Sequence, residues 1–367
     1  MSNKGKFKKL PRPLRIGLLT YVGDVQGCGT IRVIYPYFLL NHFRQKDMMC
    51  SAMYLMNYVA DEGFYKDFAY IQFQRSATPE HLKLIHHFKS TIQKKFPIPV
   101  IYEIDDMLFD IPEWNYASAY YNKSRPIIEQ IMSSCDGMIT STAKLREYYA
   151  PYCKRISVIP NHLPKFIWGD VFEATDYKDE NKKIKILWAG SQNHFAFKAL
   201  DKNAKGGDFG IELLDFIRKT ADKYEWHIMG AIPSEIENLK NKIHFYPWEN
   251  IFQYPSKMKS LEPDICIAPL QDIEFNRGKS NIKCLEYTAV GAPAVFSDVT
   301  PYKFMSLKAK TDEQFIAHIE KLAGDIDYRA RIFKKDYQRV KPQLWWEEND
   351  NLKKYLNTYL NMWGKCL

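Results

Sequence analysis

Short apolar runs alternate with helical patterns along this chain, and the alternation restarts near its middle. In the first half, candidate strands lie at Leu14–Tyr21, Ser51–Met56, Phe68–Phe73, Val100–Ile104, Gly137–Thr140 and Ile156–Ile159. Helical stretches fall between them at Ile31–Phe43, Pro79–Lys95, Tyr120–Ser134 and Ala143–Tyr149. Such alternation predicts a doubly wound parallel sheet. Pro160, Pro164 and the charged run Tyr177–Lys183 then mark a linker. The second half offers strands at Ile184–Ala189, Trp226–Met229, Ile243–Tyr246, Ile265–Ala268 and Ala294–Ser297, with helices at Gly210–Tyr224, Ser280–Val290 and Asp312–Leu322. The fold class is therefore α/β, with two Rossmann-like lobes facing each other across a cleft. The boundaries expected are a basic arm at 1–13, a first lobe at 14–165, a linker at 166–183, a second lobe at 184–342 and a C-terminal helix at 343–367. A chain of 367 residues is also long for one core. Ligands of such sheets gather at the carboxyl ends of the strands.

Composition narrows the class. Hydrophobic residues make up 46% and charged residues 26%, which suits a globular protein. No apolar stretch approaches the roughly 20 residues that span a bilayer, so no integral membrane segment is expected. The apolar run after the basic arm is too short for a signal-peptide core. Seven cysteines without CxxC spacing indicate neither a disulfide framework nor a zinc site, and a reducing cytoplasm is the expected location. The formal net charge of +9 suits an anionic partner, whether nucleotide, nucleic acid or membrane surface.

Four segments carry candidate chemistry. The first, Phe275–Phe296, reads as a basic loop, a short helix and a buried strand. Ser280 or Asn281 can cap that helix, and Gly291 with Pro293 can end it. Its start offers backbone N–H groups beside Arg277, Lys279 and Lys283, a natural place for a diphosphate. Glu286, further along the helix, can accept hydrogen bonds from a ribose diol. The second segment is the glycine turn Gly23–Thr30, where Gly27 and Gly29 either build a structural turn or let backbone amides approach a charged ligand. In the third, a buried strand runs out into Asp105 and Asp106. Chain neighbours point in different directions, so one carboxylate is expected to face the cleft while the other braces a loop. Three roles are open to the pair: orienting or deprotonating an acceptor hydroxyl, structural capping, or binding a metal. The fourth segment is Gly190-Ser191-Gln-Asn-His194 with Lys205-Gly206 downstream, where His194 is either a site residue or a solvent-facing loop residue.

The first segment resembles the donor-nucleotide site of retaining glycosyltransferases with the two-lobed GT-B fold, especially family 4. That family carries two glutamates separated by seven residues, the second before a Gly-x-Pro-x-Val run. Glu286 and Gly291-Ala-Pro-Ala-Val match the second half, whereas Gly278 stands at the first glutamate. The resemblance implies a diphosphate held by Gly190, Ser191, Lys205, Arg277, Lys279, Ser280 and Asn281, with Gly27 and Gly29 from the facing loop. It further implies ribose on Glu286, a catalytic or acceptor role for Asp105 and Asp106, a UDP-sugar donor, retention at the anomeric carbon, and no required cofactor or metal. It also suggests that the tail from Trp345 to Trp363 crosses back to the first lobe, the alternative being a helix that finishes the second. Pro160-Asn161-His162 is similar to the family's Pro-Asn-Gly turn at the lobe junction.

Gly27-Cys-Gly-Thr30 and Leu285-Glu-Tyr-Thr288 are similar to segments of the DNA α-glucosyltransferases of T-even phages. That likeness makes a hydroxymethylated pyrimidine, such as hydroxymethylcytosine, in double-stranded phage DNA the expected acceptor, flipped from the duplex. The basic run Arg329, Arg331, Lys334, Lys335, Arg339 and Lys341 either faces such a duplex or forms a solvated helix face. The alternatives are an enzyme acting on surface polysaccharide or lipid-linked glycan, and a catalytically silent module that binds nucleic acid.

Overall fold

The computed structural model describes residues 17–23, 25, 27–43, 49–171, 182–196 and 206–363. The basic arm lies outside them, as does most of the linker. In the first half the strands are β1 (Gly17–Tyr21), β2 (Met49–Met53), β3 (Tyr70–Gln74), β4 (Val100–Ile104), β5 (Gly137–Thr140) and β6 (Ile156–Val158). They form one parallel sheet in the order β2-β1-β3-β4-β5-β6. Its helices are α1 (Tyr35–Phe43), α2 (Pro79–His87), α3 (Gln93–Lys95), α4 (Ser118–Ser134), α5 (Ala143–Tyr149) and α6 (Lys165–Trp168). Every residue of β1, β3 and β4 is buried, as near-continuous apolar runs require when helices cover both faces of a sheet. Thr78 and Thr142 cap α2 and α5 by accepting from the N–H groups of His81 and Leu145.

The second half builds an independent sheet from β7 (Lys185–Gly190), β8 (Glu225–Gly230), β9 (His244–Pro247), β10 (Ile265–Ala268), β11 (Ala294–Ser297) and β12 (Lys308–Ala309). The order is β12-β11-β10-β7-β8-β9, again all parallel. Its helices are α7 (Ile211–Thr220), α8 (Tyr254–Ser260), α9 (Glu274–Arg277), α10 (Ile282–Ala289), α11 (Asp312–Gly324) and α12 (Ile326–Leu344). The order reverses between β1 and β3 in one sheet and between β7 and β10 in the other. Each reversal opens a crevice at the strands' carboxyl ends, where ligands of open sheets bind.

The final helix, α13 (Asn351–Trp363), crosses back onto the first lobe. Trp346, Tyr355, Leu356 and Tyr359 share a core with Leu18, Val33, Tyr37 and Ile101. The Tyr359 hydroxyl donates to Gln72 Oε1 at 2.8 Å, and its carbonyl accepts from the Tyr70 hydroxyl at 2.6 Å. The helix starts later than residue 343, because Trp345 pairs with Leu163 as an isolated parallel bridge and the chain there must be extended. The basic run sits on α12, but not all of it is solvated: Arg329 is buried and donates to the Leu322 carbonyl at 3.1 Å. Among the described residues, no helix is long and apolar enough to cross a membrane.

His162 staples the two crossings together. Its Nδ1–H donates to the Gln343 carbonyl at 2.7 Å, and the ring packs on Trp346 at 4.4 Å between centroids. Burial pushes its pKa down to about 4. A depressed folded pKa contributes stability that is present above the ordinary value near 6.5 and is lost as pH falls through 4. In chemical denaturation at successive pH values, His162→Gln should lose about 3 kcal/mol less than the parent between pH 6.5 and 4.

Candidate functional site

On the first lobe, the site is built around the β1/β3 crevice. The helical run of α1 begins within the glycine turn: the Gly27 carbonyl accepts from Ile31 N–H at 3.1 Å, and Thr30 Oγ1 donates to the Val25 carbonyl at 2.6 Å. Arg75 leaves β3 with φ +51°, a left-handed conformation that costs a non-glycine residue about 1–2 kcal/mol. Its guanidinium lies 2.9 Å from Asp106 Oδ2, 3.8 Å from Asp105 Oδ1 and 3.2 Å from Cys28 Sγ, and Nε donates to the Tyr121 hydroxyl at 3.1 Å. Asp105 and Asp106 therefore converge on one cation, correcting the expectation that one of them braces a loop. The left-handed turn at Arg75 and the bend after β4 bring them together.

Ligand atoms of Cys28, Asp105 and Asp106 lie within 4.8 Å of one another, a spacing suited to a metal ion. Arg75 touches all three groups and supplies positive charge there. The two carboxyls are driven apart. Burial and the adjacent Asp106 push Asp105 up, beyond what Arg75 pulls back. Burial also pushes on Asp106, but Arg75 and Lys279 outweigh it and hold its carboxyl below the usual range. Asp105 Oδ1 is buried without a hydrogen-bond partner among the described residues.

On the second lobe, α10 begins at Ile282 with Asn281 in the capping position, yet neither Asn281 nor Ser280 makes a side-chain cap. This corrects the expected capping and leaves the helix start without a side-chain acceptor. Ser280 Oγ instead accepts from Asn161 Nδ2 of the first lobe at 2.8 Å. Lys279 lies 3.9 Å from Asp106 and over the Phe275 ring. Arg277 is turned elsewhere: it is half-exposed and paired with Asp272 and Glu274. Glu286 is buried, and its Oε2 already accepts from Lys283 Nζ at 2.6 Å and the Tyr254 hydroxyl at 3.1 Å. Gly190 closes β7 and Ser191 opens the following turn. Lys205 lies outside the described residues.

The lobes meet directly at this point. Thr142 Oγ1 donates to the Gly278 carbonyl at 3.1 Å, Lys144 pairs with Glu274 at 2.7 Å, and Asn115 Nδ2 donates to the Asn193 carbonyl at 3.1 Å. A Cβ on Gly278 would stand 2.8 Å from the Met107 side chain. Close approach of the lobes thus explains why the smallest residue occupies this position. The structure brings Gly278, Lys279, Ser280, Asp105 and Asp106 together and sets Arg277 apart. Sequence reasoning missed Arg75 and the pair formed by buried Arg32 and Glu103. The Arg32–Glu103 distance is 2.7 Å, with Arg32 Nη1 on Asn161 Oδ1 at 2.8 Å. Asn161, noted only as part of a turn, joins this pair to Ser280.

No protein-family model and no curated protein sequence matches the chain. Solved structures do. A trehalose 6-phosphate synthase from Burkholderia multivorans matches with TM-score 0.56 at 10% identity, covering 95% of this chain and 98% of that one. An O-GlcNAc transferase mutant from Thermobaculum terrenum matches with TM-score 0.52 at 11% identity, covering 96% and 68%. A TarM mutant from S. aureus, in complex with Fondaparinux, α-GlcNAc-glycerol and UDP, matches with TM-score 0.51 at 15% identity. That alignment covers 80% of this chain and 55% of the TarM chain, so the protein spans about half of TarM's length. At these identities the likeness establishes the two-lobed GT-B fold.

The Gly278–Met107 contact can be checked directly. Gly278→Ala should destabilise the protein by about 1–3 kcal/mol through overpacking. In a Met107→Ala background the same change should cost less. A double-mutant cycle by chemical denaturation reads the difference.

Proposed function

We propose that this protein is a glycosyltransferase that moves a sugar from a nucleoside diphosphate sugar, with UDP as the nucleotide, to an acceptor hydroxyl with retention. The observation that carries the reading is the meeting of the α10 start and Lys279 with Asp106 across the cleft, 3.9 Å from side chain to side chain. Backbone N–H groups at a helix start and a lysine suit a diphosphate, whose charge grows as it departs; donors already in place there lower the barrier. The loop carrying Lys279 follows β10, which borders the reversal of strand order in the second sheet, and the TarM structure holds UDP.

Glu286 is assigned to the ribose, with Lys283 and Tyr254 fixing its orientation. Asp106, kept ionised by Arg75 and Lys279, balances positive charge on the reacting sugar. Asp105, held beside Asp106 at the same cation, orients the acceptor hydroxyl. In a retaining reaction the bond from the anomeric carbon to the diphosphate breaks, the acceptor oxygen bonds to that carbon on the same face, and the departing phosphate oxygen takes the acceptor's proton. Neither aspartate then needs to form a covalent bond.

We assign the acceptor to a hydroxymethylated pyrimidine in double-stranded DNA. The +9 charge supports this, together with a concavity lined by Lys303, Lys308, Lys335 and Arg339, where phosphates would be neutralised. The glycine turn resembling that of phage DNA glucosyltransferases supports it further.

UDP release from a panel of UDP-sugars, with and without hydroxymethylcytosine-containing duplex DNA, tests both parts. DNA-stimulated release with one sugar is expected, falling steeply as salt is raised. Release indifferent to DNA would retain the transferase and replace the acceptor with a glycan or lipid. No release with any sugar, together with tight DNA binding, would favour a silent binding module. Two variants separate the roles. Glu286→Ala should weaken UDP binding about tenfold or more in calorimetry, because a buried hydrogen-bonding carboxylate is lost. Asp105→Asn should lower turnover by about 10²-fold or more while nucleotide affinity changes little.

A further inference from the structure

One buried carboxylate ties the turn after β7 to the exit of β10. Asp208 is almost fully buried, its side chain 1% exposed, and its Oδ2 lies 2.8 Å from His194 Nδ1. Its Oδ1 accepts from Gln271 N–H at 2.9 Å and from Asn276 Nδ2 at 2.7 Å. An ionised carboxylate only accepts, so the hydrogen between Asp208 and His194 sits on Nδ1. The ring orientation is thereby fixed, and Nε2 becomes its working edge. Among the described residues no group bonds Nε2.

β7 and β10 are the neighbours between which the strand order of the second sheet reverses. Asp208 therefore holds His194 at the switch-point crevice. The ring is walled by Trp188, edge to face at 5.8 Å between centroids, and by Gly190, where an added Cβ would stand 3.0 Å from Cδ2. The His194 side chain remains 18% exposed. It is also close enough across the cleft to act electrostatically on Asp106. Asn115 of the first lobe donates to the carbonyl of the preceding residue, Asn193, so the contact between the lobes bears on the ring position.

We propose that His194 donates a hydrogen bond from Nε2–H to the diphosphate of the sugar donor, with Asp208 as the residue that positions it. This rests on the nucleoside diphosphate sugar reading above. In that complex Nδ1–H donates to Asp208 and Nε2–H to the phosphate oxygen, so the ring is held between two acceptors. As the anomeric C–O bond breaks, the electron pair passes to the phosphate oxygen, and the Nε2–H bond to that oxygen strengthens. No proton need leave the ring. Asn276 and Gln271, held by the other carboxylate oxygen, keep Asp208 from following the ligand.

Calorimetric titration of the intact chain with UDP and, separately, with uridine tests this. His194→Ala should weaken UDP about tenfold and leave uridine unchanged, because only the phosphates lose a partner. His194→Gln, which restores a neutral N–H donor, should fall between parent and alanine variant. Asp208→Asn should reduce UDP affinity without touching the ligand. In the parent protein, the His194 Nδ1–H should give a downfield proton signal that His194→Gln removes. Unchanged UDP affinity in His194→Ala, or equal losses for UDP and uridine, would overturn the assignment while the donor site stood. If the parent bound UDP no better than uridine, the diphosphate reading would fall, and this inference with it.

Discussion

A short backbone pairing between the two crossing segments joins the lobes, in addition to the side-chain contacts across the cleft. Leu163 N–H donates to the Leu344 carbonyl at 2.8 Å, and Trp346 N–H donates to the Leu163 carbonyl at 3.0 Å. The outgoing and returning chains therefore run side by side rather than as two separate tethers. The Glu347 carboxylate adds to the join by accepting from the N–H groups of Lys165 and Phe166. A lone strand between lobes would leave many orientations open. A hydrogen-bonded pair, anchored on one side by α12 and on the other by α13, leaves few. The 3.9 Å between Lys279 and Asp106 depends on that join together with the direct contacts of Thr142 with Gly278 and Asn161 with Ser280.

A second constraint runs through the interior of the first lobe to the same place. Arg32 and Glu103 are each about 2% exposed, and burying two charges costs several kcal/mol per ion unless their remaining valences are met. Arg32 meets its own with the Ile159 carbonyl at 2.6 Å and Asn161 Oδ1 at 2.8 Å, whereas Glu103 Oε2 has no hydrogen-bond partner among the described residues. Asn161 then spends its amide on Ser280. A chain of bonds thus extends from β4, through the start of the α1 run and the exit of β6, to the start of α10 on the other lobe. The pair is an expensive way to fill a core, and removing one member would strand the other at a cost of about 3–5 kcal/mol. What it supplies is direction: Asn161 is held so that its N–H points at the second lobe.

Much of this architecture was legible in the sequence because parallel strands covered on both faces must be continuous apolar runs. Val100–Ile104, Gly137–Thr140, Ile265–Ala268 and Ala294–Ser297 were read with the bounds they have. The elements that escaped are those without such a run. β12 is two residues long, and α12 carries so many charges that it reads as a solvated surface. The α10 helix was readable because its start and end signals are local, whereas the roles expected of Glu286 and the helix start rest on the proposed function. Arg75 was not readable, since its importance lies in a left-handed turn that brings it to Asp105 and Asp106 from another strand. Arg277, two residues before Lys279 in sequence, is drawn off by Asp272 and Glu274, which the same loop supplies. The fold of Asp208 onto His194 spans an interval whose intervening residues give no periodic signal.

The two crevices are built with opposite polarity. At β1/β3, a cation, Arg75, sits behind two carboxylates and prevents them from repelling each other apart. At β7/β10, an anion, Asp208, sits behind an imidazole and a backbone amide. Each lobe therefore presents to the cleft groups whose orientation is fixed from behind by a countercharge. The first lobe offers acceptors and the second offers donors. A molecule negative at one end and acquiring positive charge at its reacting carbon would lie across such a cleft in one direction only. Charge interactions of both kinds are stronger where protein rather than water surrounds them. Lys279 beside Asp106, and Asn115 on the Asn193 carbonyl, join the two patterns where the lobes meet.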